Sequence, residues 1–452
     1  MIKIYNTLTK SKEEFKPIKE REVGVYSCGP TVYNFVHIGN LRSYIFADIL
    51  HRTFLYNDYK VKHIMNITDV DDKTIRDSQA AGLKLKDFTE KYTQAFFEDL
   101  EKLNIKTEEY IYPRATDEEN IDGMVNLIKK LLEKGVAYKA EDGSIYYDIS
   151  KYDKYGKLAG VDFERDSKSR VDNDEYAKDE AHDFALWKAW DEKDGDVFWE
   201  TDLGKGRPGW HIECSVMSAN NLGENFDIHT GGIDLVFPHH ENEIAQSEVA
   251  NEKPFANYWV HNEMLMVDNQ KMGKSLKNDY RMEDLVSRGF TALDFRYFTL
   301  FTHYHQKLNF TWEALEAARN GLESIKNKIK LLGMEKGTIN AKYVEEFKEK
   351  VNDDFNTPQA LAVLQEVLKS DIANSDKLAT VLDFDKVLGL KLDEVKSETI
   401  EIPEEVKKLA EDRKNAKQEK NFELADSIRS KIGEAGYDIE DISGGEYKIT
   451  KK

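Results

Sequence analysis

The chain has 452 residues, of which 40% are hydrophobic and 33% charged, and its formal net charge is −20 at pH 7. This length and composition predict a globular, soluble protein of about two to four domains. Two cysteines argue against a disulfide scaffold, and the acidic balance argues against a protein that coats nucleic acid nonspecifically. Because there is no apolar run of about 20 residues and no apolar leader, we expect a cytoplasmic protein without a membrane span.

The N-terminal part of the chain alternates between strand-like and helix-like segments. Residues 23–28 and 60–67 are strand-like. Between them, Leu41, Ile45 and Ile49 recur at helical spacing. This βαβ order predicts the opening of a parallel, nucleotide-binding sheet.

The middle of the chain is less regular. Helical patterns cover residues 74–103 and 118–134, but residues 134–202 are predicted to be mostly irregular, with one strand at 144–149. This interruption predicts a module inserted between two halves of the sheet. Strand-like segments then return at 226–229 and 258–261.

The C-terminal third is predicted to be helical. From Trp312 onwards nearly all residues favour helices, with clear apolar periodicity over 360–368. An acidic, linker-like stretch at 393–405 precedes a charged helix predicted over 404–431 and a short glycine-containing tail. These features predict a helical bundle followed by a small C-terminal domain.

Two short segments carry groups suited to phosphate binding. The first, His37-Ile-Gly-Asn40, lies where a strand passes to a helix, and a helix N-terminus presents N–H groups and positive partial charge to a phosphate. There His37 can donate to a phosphate oxygen, and Gly39 lets a nucleotide approach the backbone. The second, residues 271–275, places two lysines beside a glycine, where they can offset charge on pyrophosphate. Taken alone, the first segment is more often explained by a structural histidine, and the second by an ordinary solvated loop.

A third group combines sulfur, imidazole and carboxylate. His239 and Glu243 are four residues apart, so a helix starting near Pro238 would place both on one face, and Cys214 is close in sequence. With Cys28 they make a possible tetrahedral zinc set. From spacing alone, two buried cysteines and a charged helix start are the better interpretation, because Cys28 is remote in sequence.

The motifs together resemble a known family. The segments 37–40 and 271–275 resemble the HIGH and KMSKS signatures of class I aminoacyl-tRNA synthetases. Further segments are similar to the motif set of cysteinyl-tRNA synthetases, and the similarity runs from the N-terminus to beyond Ser275 and more loosely to the C-terminus. These segments are Cys28–Tyr33, Asn66–Lys73, Gly206–Cys214 and Phe237–Glu243.

The resemblance implies an architecture. The expected fold is α/β, a Rossmann-like class I catalytic domain with an insertion, followed by a helical bundle and a small anticodon-binding domain. The implied boundaries are 1–115 and 206–275 for the two catalytic halves, 116–205 for the inserted connective module, 276–311 for a connecting domain, 312–400 for the bundle and 401–452 for the anticodon-binding domain.

The resemblance also implies site residues. One zinc ion per chain is expected on Cys28, Cys214, His239 and Glu243. The catalytic residues are expected to be His37 and Lys274, and the nucleotide-binding group His37, Gly39, Asn40, Lys271, Lys274 and Ser275. The residues expected around cysteine, with Asp234 pairing with its ammonium and Trp210 forming a wall, are Thr68, Trp210, His229 and Asp234.

The implied reaction uses ATP with Mg²⁺ to convert cysteine to cysteinyl-adenylate and then loads tRNA(Cys), with the enzyme acting as a monomer. Zinc would select the substrate thiol over the hydroxyl of serine. A pocket that recognises shape alone discriminates such pairs by only about 10–200-fold, whereas zinc prefers a soft thiolate ligand. No separate editing domain is then needed.

Three positions depart from the family pattern. Asn40 stands in place of the last histidine of the first signature, Gly273 in place of the middle serine of the second, and Thr230 in place of the first of three glycines. Asn40 can still donate a hydrogen bond, and Gly273 removes neither lysine. The roles of these three positions stay open.

Two other functions compete with this interpretation. An enzyme that ligates cysteine to a small amine would lack an anticodon-binding domain, so the segment 404–452 favours tRNA. A noncatalytic zinc-bearing RNA-binding protein is disfavoured by His37 and the two loop lysines. A calcium loop at residues 69–72 is excluded, because the glycine and final glutamate of an EF-hand are absent.

The C-terminal segment offers candidate tRNA contacts. For each residue taken singly, a solvated helix face is the better interpretation. The candidates for phosphate contacts are Arg413, Lys414, Lys417 and Arg429, and those for base edges are Asp426 and Asp441.

Overall fold

The computed structural model describes residues 1–160, 183–273, 276–333, 335–395, 403–442 and 446–451. The chain divides into two compact units: Met1–Lys328 with Glu335–Glu394, and Ile329–Met334 with Val395–Lys452. Within the described ranges, none of the helices combines the length and the apolar run that crossing a membrane requires.

The first half of the main sheet follows an N-terminal hairpin. The predicted βαβ unit is present, and the helix predicted over 74–103 is two helices, because the chain turns at Gly82, where φ is +66°. The elements are β1 (Lys3–Asn6), β2 (Ser11–Glu14), β3 (Glu22–Ser27), α1 (Ile38–Tyr56), β4 (Lys60–Met65), α2 (Asp72–Ala80), α3 (Leu85–Lys102) and β5 (Tyr110–Ile111).

The inserted region contains a sheet of its own. Its elements are α4 (Glu118–Glu133), β6 (Ala137–Lys139), β7 (Ile145–Tyr147), β8 (Phe184–Ala189), β9 (Trp199–Thr201) and β10 (Gly204–Pro208). The strands pair antiparallel in the order β6-β7-β8-β10-β9. Strand β7 lies within the strand predicted at 144–149, whereas β6, β8 and β9 were not predicted. Three of the strands have only three residues, which is too short to show an alternating pattern.

The second half of the main sheet completes a parallel arrangement. Its elements are α5 (Trp210–Leu222), β11 (Phe226–Gly232), α6 (Glu241–Asn251) and β12 (Ala256–Asn262). The sheet has the order β12-β11-β3-β4-β5, and all its neighbouring strands are parallel. The segments that follow these strands consequently meet at one edge, where ligands bind in open α/β sheets.

A small sheet and two short helices follow. Strand β13 pairs with β14 and with β15, and the β13–β14 turn has positive φ at Asp268 and Asn269. The elements are β13 (Leu265–Val267), β14 (Gln270–Lys271), α7 (Met282–Ser287), α8 (Ala292–Leu300) and β15 (Leu308–Phe310).

The described residues after β15 are mainly helical until a final hairpin. The charged helix predicted over 404–431 is two helices joined at Lys420, where φ is +61°, and the predicted tail is an antiparallel hairpin. The elements are α9 (Trp312–Leu332), α10 (Ala341–Asn352), α11 (Thr357–Lys369), α12 (Asn374–Leu388), α13 (Glu404–Gln418), α14 (Phe422–Glu434), β16 (Tyr437–Ile442) and β17 (Glu446–Lys451).

Candidate active site

A cleft of about 730 Å³ opens at the carboxyl edge of the parallel sheet. Segments that follow β3, β4, β11 and β12 all contribute to its wall, so the topology explains why distant motifs meet there. Lys274 and Ser275 lie outside the described residues. The other predicted site residues that line the cleft are His37, Gly39, Asn40, Trp210, Asp234, His239 and Lys271.

His37 and Asn40 cap the N-terminus of α1 reciprocally. The backbone N–H of Asn40 donates to Nδ1 of His37 at 3.2 Å, and the backbone N–H of His37 donates to Oδ1 of Asn40 at 3.3 Å. Because Nδ1 accepts a hydrogen bond, a neutral imidazole carries its proton on Nε2. The asparagine that departs from the family pattern therefore completes the cap of the helix.

Met272 of the second signature segment and Tyr280, which follows that segment, lie against the start of α1. The backbone N–H of Ile38 donates to the carbonyl of Tyr280 at 2.8 Å, and a Cβ at Gly39 would lie 3.6 Å from Cε of Met272. Within the loop, the N–H of Gly273 donates to Oδ1 of Asn278 at 2.8 Å. The two signature segments thus meet at the same side of the cleft.

Arg42, which the sequence analysis missed, holds part of the cleft wall. Its guanidinium is buried and donates to four backbone carbonyls. Nη1 bonds Glu263 and Met264 at 2.6 and 2.7 Å, and Nη2 bonds Tyr304 and Gln306 at 3.3 and 2.5 Å. Burial lowers the pKa of Arg42 to about 10, which still leaves it charged at neutral pH. Since Glu263 and Met264 line the cleft, Arg42 fixes the backbone of that wall.

The predicted metal ligands converge beside the cleft. Donor atoms of Cys28, Cys214, His239 and Glu243 all lie within 4.8 Å of one another. In a tetrahedral site with zinc bonds of about 2.0–2.3 Å, ligand atoms are about 3.3–3.8 Å apart, so a small contraction suffices. The helix predicted to start near Pro238 is present: a π-helical turn that includes His239 runs directly into α6, and only Phe237 in that turn is extended. This places Nε2 of His239 3.1 Å from Oε1 of Glu243.

A second donor set shares two of these residues. Cys28 and Glu243 also cluster with His229 and His240, and Nε2 of His240 lies 3.2 Å from Sγ of Cys28. Nδ1 of His240 lies 2.8 Å from Nε2 of His261, which the sequence analysis also missed. A Cβ at Gly231 would lie 2.9 Å from the ring of His240, so the glycine permits this packing. In the sequence, the two consecutive histidines at 239–240 were the feature that could have indicated this second donor set.

The electrostatics of the cluster suit a cation. Nδ1 of His229 is buried and has no hydrogen-bond partner within the described ranges, and Oε1 of Glu243 is buried with the imidazole of His239 close to it. Burial raises the pKa of Glu243 and, together with the neighbouring Cys214, that of the Cys28 thiol, and it lowers the pKa of His229 to about 3. Buried thiol, imidazole and carboxylate donors with unsatisfied atoms are the ligands that zinc binds, so these residues fit that metal.

Glu213 is a further residue that the sequence analysis missed. It lies next to Cys214 on α5, is fully buried and lines the cleft. Oγ1 of Thr68 donates to its Oε2 at 3.0 Å. Burial raises the pKa of Glu213, with a further contribution from Cys214. Its position between Trp210 and Cys214, at the start of a helix, was the sequence feature that could have indicated a role at the site.

The four residues predicted to surround cysteine occupy different positions. Trp210 is 39% exposed, and its ring centroid lies 4.3 Å from that of His239. Asp234 is exposed at the cleft. Thr68 is buried and is connected to the cleft through Glu213, whereas His229 is buried behind the cluster and stacks on Trp259. Their proposed contacts with cysteine stay predictions.

An ion-pair group, which we term the clasp, joins the inserted sheet to α2. The clasp comprises Asp72, Lys188, Asp194 and Arg207. Asp72 pairs with Lys188 at 2.6 Å and also with Arg207, whose Nε lies 2.9 Å from Asp194. Asp72, Lys188 and Arg207 all line the cleft. The acidic segment 69–72 therefore has a structural role at this site.

Comparison with protein families identifies two domains. Residues 14–320 match the family model of the tRNA synthetases class I (C) catalytic domain, and residues 346–392 match the DALR domain. The chain is 45% identical to a curated cysteine–tRNA ligase of Methanosarcina acetivorans, over 98% of this chain and 98% of that protein. It is 43% identical to a cysteine–tRNA ligase of Protochlamydia amoebophila, over 98% and 97% of the two chains.

Solved structures with a similar fold include two synthetases. The methionyl-tRNA synthetase of Mycobacterium tuberculosis bound by methionyl-adenylate superposes with a TM-score of 0.57 at 13% identity, covering 82% of this chain and 90% of that one. The LeuRS of Agrobacterium radiobacter K84 in a ternary complex with tRNA gives a TM-score of 0.59 at 10% identity, covering 84% and 85%. At these identities the likeness is one of fold.

Proposed function

The chain belongs to the cysteine–tRNA ligase family of class I tRNA synthetases, and we propose that it ligates cysteine to tRNA(Cys) through a cysteinyl-adenylate formed in the cleft. The family supports ATP-dependent ligation of cysteine to tRNA as the overall reaction. The observation that carries the proposal is that the described residues of both signature segments contribute to the same cleft as His239 of the thiol-containing cluster. A carboxylate, a thiol and a triphosphate can therefore be bound side by side.

In the first step, the cysteine carboxylate attacks the α-phosphorus of ATP, the bond to the leaving pyrophosphate breaks, and cysteinyl-adenylate forms. Negative charge accumulates on the leaving group, so the rate of this step depends on the positioning of the reactants and on electrostatic stabilisation of that charge. The Nε2–H of His37 can donate to a phosphate oxygen, and Lys271 and Lys274 are proposed to offset charge on the pyrophosphate. Mg²⁺ is expected to arrive with ATP.

In the second step, a hydroxyl of the terminal ribose of tRNA attacks the carbonyl carbon and AMP leaves. The C-terminal segment is proposed to bind the anticodon. There Arg413 and Lys417 both donate to Asp441, so a phosphate contact by either cation has to compete with that carboxylate. Lys414 and Arg429 stay predicted phosphate contacts. We further propose that the enzyme acts in the cytoplasm as a monomer.

We propose that one zinc ion per chain is held by Cys28, Cys214, His239 and Glu243. When bound, zinc supplies a soft Lewis acid that accepts a thiolate in preference to a hydroxyl. The protein's own groups hold these ligands in position: Nδ1 of His239 lies 2.9 Å from Nδ1 of His211, and Oε2 of Glu243 lies 2.9 Å from Nε2 of His229. Such outer partners orient metal ligands and tune their basicity.

The decisive experiment measures ATP–pyrophosphate exchange and tRNA charging with cysteine and with serine, with metal content determined on the same preparation. We expect exchange and charging with cysteine, a large preference over serine, and about one zinc per chain. Exchange that does not depend on cysteine would refute the proposed reaction. Efficient activation of serine by the zinc-containing protein would refute the proposed role of the metal.

A further inference from the structure

A directed chain of hydrogen bonds ends on Glu213. The backbone N–H of Gly29 donates to Oδ1 of Asn66 at 2.9 Å, which fixes the orientation of that amide. Nδ2 of Asn66 then donates to Oγ1 of Thr68 at 3.1 Å, and Oγ1 of Thr68 donates to Oε2 of Glu213 at 3.0 Å. Because Thr68 has a single hydroxyl hydrogen, it cannot also donate to a ligand. At the end of this series of hydrogen bonds, the carboxylate of Glu213 is the group that can still accept a hydrogen bond.

The second oxygen of Glu213 has no partner. Oε1 is buried and lacks a hydrogen-bond donor within the described part of the chain, yet the residue lines the cleft. A buried carboxylate oxygen without a donor is costly, and native proteins rarely leave one unpaired. A ligand that enters the cleft with a positively charged N–H group would supply the missing donor.

We propose that Oε1 of Glu213 accepts a hydrogen bond from the α-ammonium of the cysteine substrate. This inference rests on the proposed function, since it takes cysteine as the ligand of the cleft. In cysteine the ammonium and the thiol are on adjacent carbons, so a thiol bound at the cluster leaves the ammonium beside it. Glu213 directly precedes Cys214 on α5, which places it next to the cluster.

The ammonium has three N–H donors, so a second acceptor is compatible with this assignment. Asp234 lines an exposed part of the cleft and was predicted from the family to pair with the same group. Glu213 is the buried member of the two, and the fixed Thr68 hydroxyl holds its carboxylate in place. A thiol without an amino group would leave Oε1 unpaired, and sites built in this way reject such ligands strongly.

The test compares three small thiols by calorimetry on wild-type protein and Glu213→Gln. Cysteine and cysteamine carry the ammonium, and mercaptopropionate carries the carboxylate without it. Because Glu213→Gln replaces the carboxylate, which a bound ammonium would hold in its charged form, with a neutral amide, it should weaken cysteine and cysteamine binding about tenfold or more, with mercaptopropionate binding changed less than about twofold. Metal content is measured on each preparation, so that loss of the metal is not mistaken for loss of this contact.

Asp227→Asn is the matched control. Asp227 is a buried carboxylate on β11 that accepts from the backbone N–H groups of Ile18 and Gly24 at 2.7 and 2.8 Å, and it does not contribute to the cleft wall described above. Its substitution should leave the ratio of cysteine to mercaptopropionate affinity unchanged. If Glu213→Gln does not fold, Glu213→Asp retracts the carboxylate by one methylene and should lower the same ratio.

Equal weakening of all three thiols in the Glu213 variant would show a purely structural role and overturn the inference, and so would an unchanged ratio. These outcomes leave the proposed function intact as long as the wild-type protein binds cysteine. A wild-type protein that holds zinc but binds none of the three thiols would overturn the proposed function and this inference together.

Discussion

Replacing Arg42 by lysine tests how the cleft wall is held. The guanidinium bonds four carbonyls at 2.5–3.3 Å, whereas a lysine ammonium is a compact charge that cannot span two pairs of acceptors. At least two carbonyls would lose a charged donor. Each such bond is worth roughly 1.5–3 kcal/mol, and three of the four are only partly buried, which lowers their contribution. We therefore expect a loss of about 2–4 kcal/mol in the free energy of unfolding.

The kinetic effect should be selective. Glu263 and Met264 line the cleft next to β13, so a shift of their backbone should raise the KM for ATP about tenfold or more while changing the KM for cysteine little. The free energy of unfolding is measured by urea denaturation, and both KM values are measured by ATP–pyrophosphate exchange on the same protein.

Arg52 supplies the matched control for this prediction. It is also a buried arginine of α1, but it bonds Asp48 and the carbonyls of Asn104 and Lys386, away from the cleft. Arg52→Lys should lose stability while leaving the KM for ATP unchanged. If both variants raise the KM for ATP equally, or if Arg42→Lys loses stability without raising it, the assigned role of Arg42 is wrong.

Three further predictions concern the metal, the loop and the C-terminal segment. Cys214→Ser should lose most of its zinc and weaken cysteine binding more than ATP binding, whereas His240→Ala should keep its zinc; the reverse pattern in metal analysis would select the second donor set. Lys274→Ala should lower the rate of adenylate formation about 10²–10³-fold in single-turnover assays with little change in cysteine affinity, and an unchanged rate would remove this lysine from the mechanism. Ending the chain near Pro403 should preserve cysteine-dependent pyrophosphate exchange but sharply reduce tRNA charging, and full charging by the shortened, folded protein would contradict the anticodon role and favour a small-amine acceptor.

The main sheet was predictable because its signals are local. Helical periodicity at Leu41, Ile45 and Ile49 between two strand-like segments was sufficient to indicate the βαβ unit that the structure contains. The inserted sheet was not predictable in the same way, since strands of three residues carry little periodicity. The charged helix predicted over 404–431 is divided in two at a single residue, Lys420, which has a left-handed conformation. No local sequence pattern predicts that conformation.

The site was predictable only in part from spacing. Cys28 and Cys214 are far apart in sequence, and they meet because α5, which carries Cys214, packs against β3, which ends next to Cys28. The ligand set therefore came from family resemblance. Arg42 and Glu213 went unnoticed because their partners are distant: the carbonyls that Arg42 bonds lie more than 200 positions further along the chain, and Thr68 lies 145 positions from Glu213.

The order of strands in the main sheet has a consequence for synthesis of the chain. Strand β3 lies between β4 and β11, and Val25 pairs with Ile228, roughly 200 residues later. At about 5–20 residues per second, a ribosome needs about 10–40 s to supply the missing neighbour. Throughout that interval β3 has an unpaired edge, which is a template for association with other chains. The nascent N-terminal half of this protein therefore exposes an edge that a chaperone could shield until β11 has been made.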